Sequence, residues 1–250
     1  MGVLNVTPDS FFDGGRYAAP ADALERALQM IDQGVDLIDI GGESTRPGAE
    51  PVSIVEELGR TIPVIEKVAS LGVPVAIDTR KSDVAKAAID VGASIVNDVS
   101  AGTFDDKMLP LVADRGVPIV LMHMRGTPDT MDTLATYDDV VGDVLHELRA
   151  RVEVARLMGV SKVWVDPGLG FAKTAEQCIA LLRDVQAFRT VGCPVVVGPS
   201  RKRFIGGDPS TRLEGTLAVV AYCVMHGVDV VRVHDVLEAR RVVDMIERIL

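Results

Sequence analysis

The sequence predicts an α/β chain wound as a single-domain (β/α)8 TIM barrel over residues 1–250. Three observations predict it. Short apolar, β-branched runs alternate with longer stretches of helical periodicity along the whole chain. A glycine closes the helical stretches and opens a turn into the next run, as in Gly72-Val-Pro. Eight such units in 250 residues match the usual size of this barrel. An open doubly wound sheet is the rival, but the glycine-rich fingerprint expected after its first strand is missing.

The elements follow in order. The first run, residues 1–6, leads into a polar segment at 7–19 and a helix at 21–33 that stops at Gly34. The second run, 35–40, precedes a loop at 41–50 and a helix at 51–71 that stops at Gly72. Residues 73–77 make the third strand, and 82–91 its helix, closed by Gly92. The fourth strand is 94–97. The fifth, 117–123, precedes a long loop at 125–136 and a helix at 137–158 that ends at Gly159. The last three runs are 162–165, 194–197 and 228–233, and Gly116, Gly192 and Gly227 mark the other helix-to-strand turns. Nearly continuous apolar runs suit a sheet buried on both faces. The three long loops follow strands, the side on which barrels carry their chemistry, and read as lids over a substrate.

The chain is 48% apolar and 25% charged, enough to bury a sizeable core. A formal charge of −10 and a pI near 4.9 argue against nucleic acid and anionic membranes as partners. No apolar run reaches the roughly 18–20 residues that a membrane span needs. The first residues lack the pattern of a signal peptide, so the cytoplasm is the expected location. Cys178, Cys193 and Cys223 are odd in number and widely spaced, as reduced packing residues would be.

Polar residues close the strands. Asn5 ends the first, Asp78 the third, Asn97 with Asp98 the fourth, His123 the fifth and Asp166 the sixth. Ser200, Arg201, Lys202 and Arg203 follow the seventh; Arg232 and His234 end the eighth. Any one of them alone reads as a cap or a solvated group. Barrel closure points them all at one mouth, with carboxylates and amides on one side and cations on the other. Arg232 and His234 are two apart and share one side of a strand, where barrels frequently bind phosphate. The structural alternative for Arg232 is an ion pair with Asp229 or Asp235.

These segments resemble the dihydropteroate synthase family. The resemblance rests on Asn5-Val-Thr-Pro-Asp9-Ser-Phe11, Gly41-Gly-Glu-Ser-Thr45-Arg46-Pro47 and Asp78-Thr-Arg. It continues through Asn97-Asp98, Met122-His-Met-Arg, Asp166-Pro-Gly-Leu-Gly-Phe171-Ala-Lys173, Ser200-Arg201-Lys202 and Arg232-Val-His234-Asp235. The resemblance implies condensation of 6-hydroxymethyl-7,8-dihydropterin pyrophosphate with p-aminobenzoate, giving 7,8-dihydropteroate and pyrophosphate for folate synthesis. It implies that Asp78, Asn97, Asp166 and Lys202 bind the pterin. One carboxylate, that of Asp166, accepts both the amino group and the ring N–H (cf.). Asn5, Arg46, Ser200, Arg232 and His234 are implied for the pyrophosphate, with Mg2+ held through Asn5. Phe11, Thr45, Arg46, Pro47, Phe171, Lys202 and Arg203 are implied for p-aminobenzoate. Asp13, Lys202, Arg232 and His234 are the implied catalytic set, Asp13 favouring a developing pterin cation. Sulfonamides as inhibitors and a homodimer are further implications.

Phe12 stands where the family often has serine, Arg203 where some members have serine, and Leu169 and Ala172 vary within a glycine-rich turn. Two other readings share much of the pattern. A pterin-dependent methyltransferase-type barrel would use Asp78, Asn97 and Asp166 but has no need of the Ser-Arg-Lys turn. A catalytically silent paralogue that binds a pterin would keep most motifs.

Overall fold

Each predicted run forms a parallel strand, and each strand is followed by a helix. The structure is a computed structural model and describes residues 1–7, 20–45 and 50–250. Its strands are β1 (Gly2–Asn5), β2 (Ile38–Gly41), β3 (Val75–Asp78), β4 (Ile95–Asp98), β5 (Ile119–Met122), β6 (Val163–Asp166), β7 (Val196–Val197) and β8 (Val230–Val231). The helices are α1 (Pro20–Asp32), α2 (Ile54–Ala69), α3 (Ser82–Asp90), α4 (Met108–Arg115), α5 (Val140–Leu157), α6 (Ala175–Arg183), α7 (Leu213–Met225) and α8 (Val236–Ile249).

Strands β1 to β6 pair in sequence order, and β7 pairs with β8, all in parallel. Isolated bridges close the ring. Val165 bridges Val195 between β6 and β7, and Gly2 bridges Val233 between β1 and β8. Backbone bonds Val3 N–H to Val233 O (2.9 Å) and Val233 N–H to Met1 O (3.0 Å) complete the last seam. The fold is therefore the expected (β/α)8 barrel.

Strand alternation sorts the side chains into two cores. Ile38, Ile40, Val75, Ile77, Val163 and Val165 point outward into the large cluster shared with the helices. Met1, Leu37, Ala76, Ile95, Val120 and Val196, joined by Trp164 and Val230, form a separate apolar cluster inside the barrel. That inner cluster is the floor on which the polar site stands.

The boundaries differ from the sequence reading in an informative way. Strands β2, β3, β4 and β6 run one residue beyond the predicted ends, taking in Gly41, Asp78, Asp98 and Asp166. Parallel pairing satisfies the backbone there whatever the side chain, so a polar residue does not end the strand. Helix α2 starts at Ile54 because Ser53 caps it, its side chain accepting from Glu56 N–H at 3.2 Å. Helix α5 starts at Val140 after an Asp139 cap. The glycines foreseen after helices all have positive φ, from 64° at Gly116 to 116° at Gly92. Cys178, Cys193 and Cys223 are free thiols, as expected.

Candidate active site

The barrel floor dictates the level above it. Two residues beyond Leu37, Ala76, Ile95, Trp164 and Val230 stand Asp39, Asp78, Asn97, Asp166 and Arg232, on the same inward faces. Strand register sets several side by side at the carboxyl ends: Asn5 pairs with Gly41, Gly41 with Asp78, and Asp78 with Asn97. An apolar floor carrying a polar ceiling is what a pocket for a flat, heteroatom-rich molecule requires.

Arg232 organises the centre. Its Nε donates to Asp39 Oδ2 at 2.6 Å and its Nη2 to Asp78 Oδ2 at 2.7 Å. Asn97 Nδ2 donates to the same Asp39 oxygen at 3.1 Å. Burial works against the Arg232 charge, but Asp39 and Asp78 overcome it and shift the guanidinium upward, so it stays charged. Burial and the adjacent Asp39 carboxylate push Asp78 up to about 7, against the pull of Arg232. Sequence reasoning passed over Asp39, which lay inside an apolar strand. Its signal was a carboxylate two residues past an inward leucine. Its Oδ1 is buried with no hydrogen-bond partner among the described residues, an acceptor left over in the pocket wall.

Arg232 therefore does not pair with Asp229 or Asp235, the neighbours that the sequence offered. Asp229 lies three residues before Arg232, at odd spacing along the extended chain, and Asp235 three residues after it, at the start of α8. Asp229 accepts the Val195 N–H at 2.8 Å. Asp235 takes a fork from Arg201, Nε to Oδ2 at 2.8 Å and Nη2 to Oδ1 at 2.7 Å. That fork commits Arg201 to the scaffold. Asp98, grouped with Asn97 by sequence, is also structural: its carboxylate accepts from Ser100 N–H (2.8 Å), Ser100 Oγ (2.6 Å) and Gly102 N–H (2.8 Å).

The turn after β6 supplies the opposite wall. Asp166 Oδ1 accepts the Gly168 N–H at 2.7 Å, which orients the carboxylate. Burial raises the Asp166 pKa, and Lys202 opposes that rise. Lys202 donates to the Leu169 carbonyl, and its Nζ lies 4.9 Å from the centre of the Phe171 ring. Burial lowers Lys202 to about 8, against the attraction of Asp166. After this turn α6 begins in a capping box: Thr174 Oγ1 accepts from Gln177 N–H, and the Gln177 side chain accepts from Thr174 N–H. Beyond β7 and β8, Ser200 Oγ sits 2.9 Å from His234 Nδ1 and accepts the His234 backbone N–H at 3.2 Å.

Asp78, Asn97, Asp166, Lys202, Arg232, Ser200 and His234 thus gather at one end of the barrel. Asn5 closes β1 on the same level, half-buried, and its side chain bonds no other described residue. Thr45 is half-buried beyond β2. Arg203 stands apart from the centre. Its side chain is 71% exposed, 3.7 Å from Asp132 in the loop after β5. Phe11, Phe12, Asp13, Arg46 and Pro47 lie outside the described residues. A cavity of about 500 Å³ opens at the barrel's other end, lined mainly by apolar groups such as Met1, Leu37, Trp164 and Val228; the carboxylate–amide centre does not line it.

The fold and this centre define an enzyme of the (β/α)8 class that reads a polar heterocycle beside an anion. Residues 1–234 match the pterin binding enzyme family. The chain is 48% identical to a dihydropteroate synthase of Synechocystis sp., over 94% of this chain and 84% of that protein. It superposes on the Yersinia pestis dihydropteroate synthase, solved as a sulfonamide drug complex, with a TM-score of 0.96 and 38% identity, covering 100% of this chain and 93% of that one. The Thermus thermophilus enzyme, solved in complex with 4-aminobenzoate, gives 0.89 at 44% identity, again over 100% and 93%. Its structure in complex with 6HMPPP gives 0.87 at 42% identity over the same shares. The chain belongs to the dihydropteroate synthase family of pterin-binding enzymes. No helix among the described residues is long and apolar enough to cross a membrane.

Proposed function

We propose that this chain joins 6-hydroxymethyl-7,8-dihydropterin pyrophosphate to p-aminobenzoate in the cytoplasm, forming 7,8-dihydropteroate and pyrophosphate for folate synthesis. One observation carries the reading: Asp78, Asn97 and Asp166 share one level of the barrel, with Arg232 and Lys202 beside them. Asp166 accepts the pterin's amino and ring N–H together (cf.). Asp78 and Asn97 meet the remaining edge, the amide both donating and accepting. Lys202 reaches the ring's acceptor side.

The pyrophosphate lies against Arg232, His234 and Ser200, and Arg46 is a further proposed contact. The C–O bond of the pterin methylene breaks first, and its electron pair leaves with pyrophosphate. Asp13, on the first loop, favours the resulting cation. The neutral aniline nitrogen then attacks the methylene and sheds one proton. No strong base is needed for this. Charge on the departing group is the principal barrier, and fixed cations lower it. Phe11, Thr45, Arg46, Pro47, Phe171 and Lys202 are proposed for the p-aminobenzoate, with Arg203, turned toward Asp132, only at its exposed rim.

The residues present fit Mg2+. Asn5 offers one half-buried amide oxygen that no described residue occupies. That suits an ion that keeps water and substrate phosphate oxygens around it. When bound, it supplies neutralising charge to the leaving group.

The test is turnover of the two substrates with Mg2+, read as pyrophosphate release. Release that ignores p-aminobenzoate, or no release, overturns the reading. Sulfonamides are expected to compete with p-aminobenzoate; full activity at saturating sulfonamide argues against the pocket assigned. A homodimer is also proposed. Its support is α7, which carries a single charged residue, Glu214, and the exposure of Met225, Met245 and Ile249 on α7 and α8. Sedimentation velocity giving only the monomer mass overturns it.

A further inference from the structure

Lys173 closes the turn that carries Asp166 and Phe171, yet it does not face the substrate centre. It is buried, 8% exposed, and points back into the protein. Its Nζ donates to the Phe171 carbonyl at 2.8 Å, contacts the His123 carbonyl at 3.4 Å, and lies 2.9 Å from His123 Nδ1. A buried amine has no reason to sit there unless those acceptors need it.

The partners assign the imidazole. The Glu147 carboxylate, held ionised by Arg125, can only accept, so Nε2 of His123 carries the hydrogen and Nδ1 accepts from Lys173. That hydrogen points at Glu147 Oε2, 3.0 Å away on α5. Burial, with the help of Lys173, pushes His123 down to about 4, which keeps the ring neutral around pH 7. Glu147 in turn accepts from Arg125 Nε at 3.1 Å, and Arg125 Nη1 donates to the Thr136 carbonyl at 2.5 Å. The far end of the same loop meets the turn by a second route, with Tyr137 donating to the Ala172 carbonyl at 2.9 Å.

A continuous polar chain therefore runs from the loop after β5, through Arg125, Glu147, His123 and Lys173, to the Phe171 carbonyl. The backbone at its end is tightly specified. Ala172 has a φ of +49°, a conformation that a non-glycine residue adopts only when its surroundings hold it. Lys202 grips the Leu169 carbonyl from the substrate side while Lys173 grips Phe171 from behind. The turn is held between two lysines.

We propose that Lys173 is a positioning residue for the condensation: by tying the 168–173 turn to His123 and the fifth loop, it sets Phe171 for p-aminobenzoate and, through the Gly168 N–H, Asp166 for the pterin. The proposal rests on the function given above. Lys173 touches neither substrate and acts through the backbone it holds.

The test is Lys173→Met, which keeps the stem and removes the donors. The expected result is a KM for p-aminobenzoate and a Kd for the pterin pyrophosphate each raised about tenfold or more, the scale of one lost hydrogen bond to a charged group. The kcat at saturation is expected to change by less than about threefold, because substrate binding recovers the geometry. The 15N resonance of His123 Nδ1 is expected to move, which a loss of general packing elsewhere would not cause. Unchanged KM and Kd, or an unchanged His123 nitrogen spectrum, overturns the proposal. If Lys173→Met does not fold, Glu147→Gln decides. That variant alters the chain at its more exposed end and is expected to raise the same KM about threefold and shift the His123 signals; unchanged values overturn the proposal. Turnover by the unmodified protein is the control. Its absence counts against the function itself, whereas normal turnover with normal constants in the variant counts against Lys173 alone.

Discussion

Asp39 bonds Arg232 and Asn97 at once, and its carboxylate has no exposed surface. Breaking a buried pair leaves a charge without its partner, which costs about 3–5 kcal/mol. Asp78 still holds Arg232, so Asp39→Ala is expected to lower stability by about 3 kcal/mol, at the bottom of that range. Chemical denaturation measures it, and a change under about 1 kcal/mol would mean that the pair contributes little. Asp166→Asn has a different signature. An amide donor replaces a double acceptor facing two donors, so the pterin should bind about tenfold to a hundredfold more weakly while the fold is kept. Titration calorimetry with pterin pyrophosphate tests this. Lys202 sets a pH limit. Burial lowers it to about 8, so its charge is lost as pH rises through that value, and pterin pyrophosphate affinity is expected to fall above it. Lys202→Arg keeps its charge throughout and should remove most of that fall. An equal fall in both proteins assigns the limit elsewhere.

At the scale of the element, the turn between β6 and α6 is the most demanding. Gly168 has φ +69°, and a side-chain carbon there would collide with the His123 carbonyl oxygen. Backbone cannot move aside as a flexible side chain can. Gly168→Ala is therefore expected to destabilise the protein by more than about 2 kcal/mol, since a positive φ and a backbone clash add. It is also expected to cost more than Gly116→Ala, where φ is +64° but no atom lies within 4 Å. Paired thermal melts give the order, and equal losses would refute the close approach. The element scale was also where sequence reading was sharpest. Glycines after helices, the alternating periods and the long loop after β5 stand in the structure as read. The starts of α2 and α5 were misplaced by about three residues because caps such as Ser53 compete with propensity, and tertiary bonds decide which wins.

Across the whole molecule, two buried lysines shape the stability curve. Lys173 falls from an ordinary 10.5 to about 7, and Lys202 from 10.5 to about 8, both through burial. Between the folded and unfolded values the unfolded chain binds more protons, so unfolding free energy rises with pH across that window. His123, lowered from 6.5 to about 4, adds a rise between those values. Asp78 opposes it: raised from 3.8 to about 7, it lowers stability as pH climbs across that range. Melting followed from pH 7 to pH 10 is expected to show the upward trend, and Lys173→Met to flatten it. Identical slopes would mean that Lys173 titrates as an ordinary surface lysine.

The sequence by itself determined the barrel and most of its polar rim. Periodicity is a local property, and a residue at a strand's carboxyl end faces the mouth in any barrel of this kind. Asp78, Asn97, Asp166, Lys202 and Arg232 were legible for that reason, as was the family. Only the tertiary structure decided who pairs with whom. Asp39 is 193 residues from Arg232 in the chain and bonds it at 2.6 Å, while the nearby Asp229 and Asp235 bond other groups. It also decided that Arg201 serves the scaffold, and that Lys173 and His123 meet across 50 residues. Strand parity tells which face a side chain takes. Its partner across the barrel is fixed by closure, a property of the eight strands together that no single segment contains.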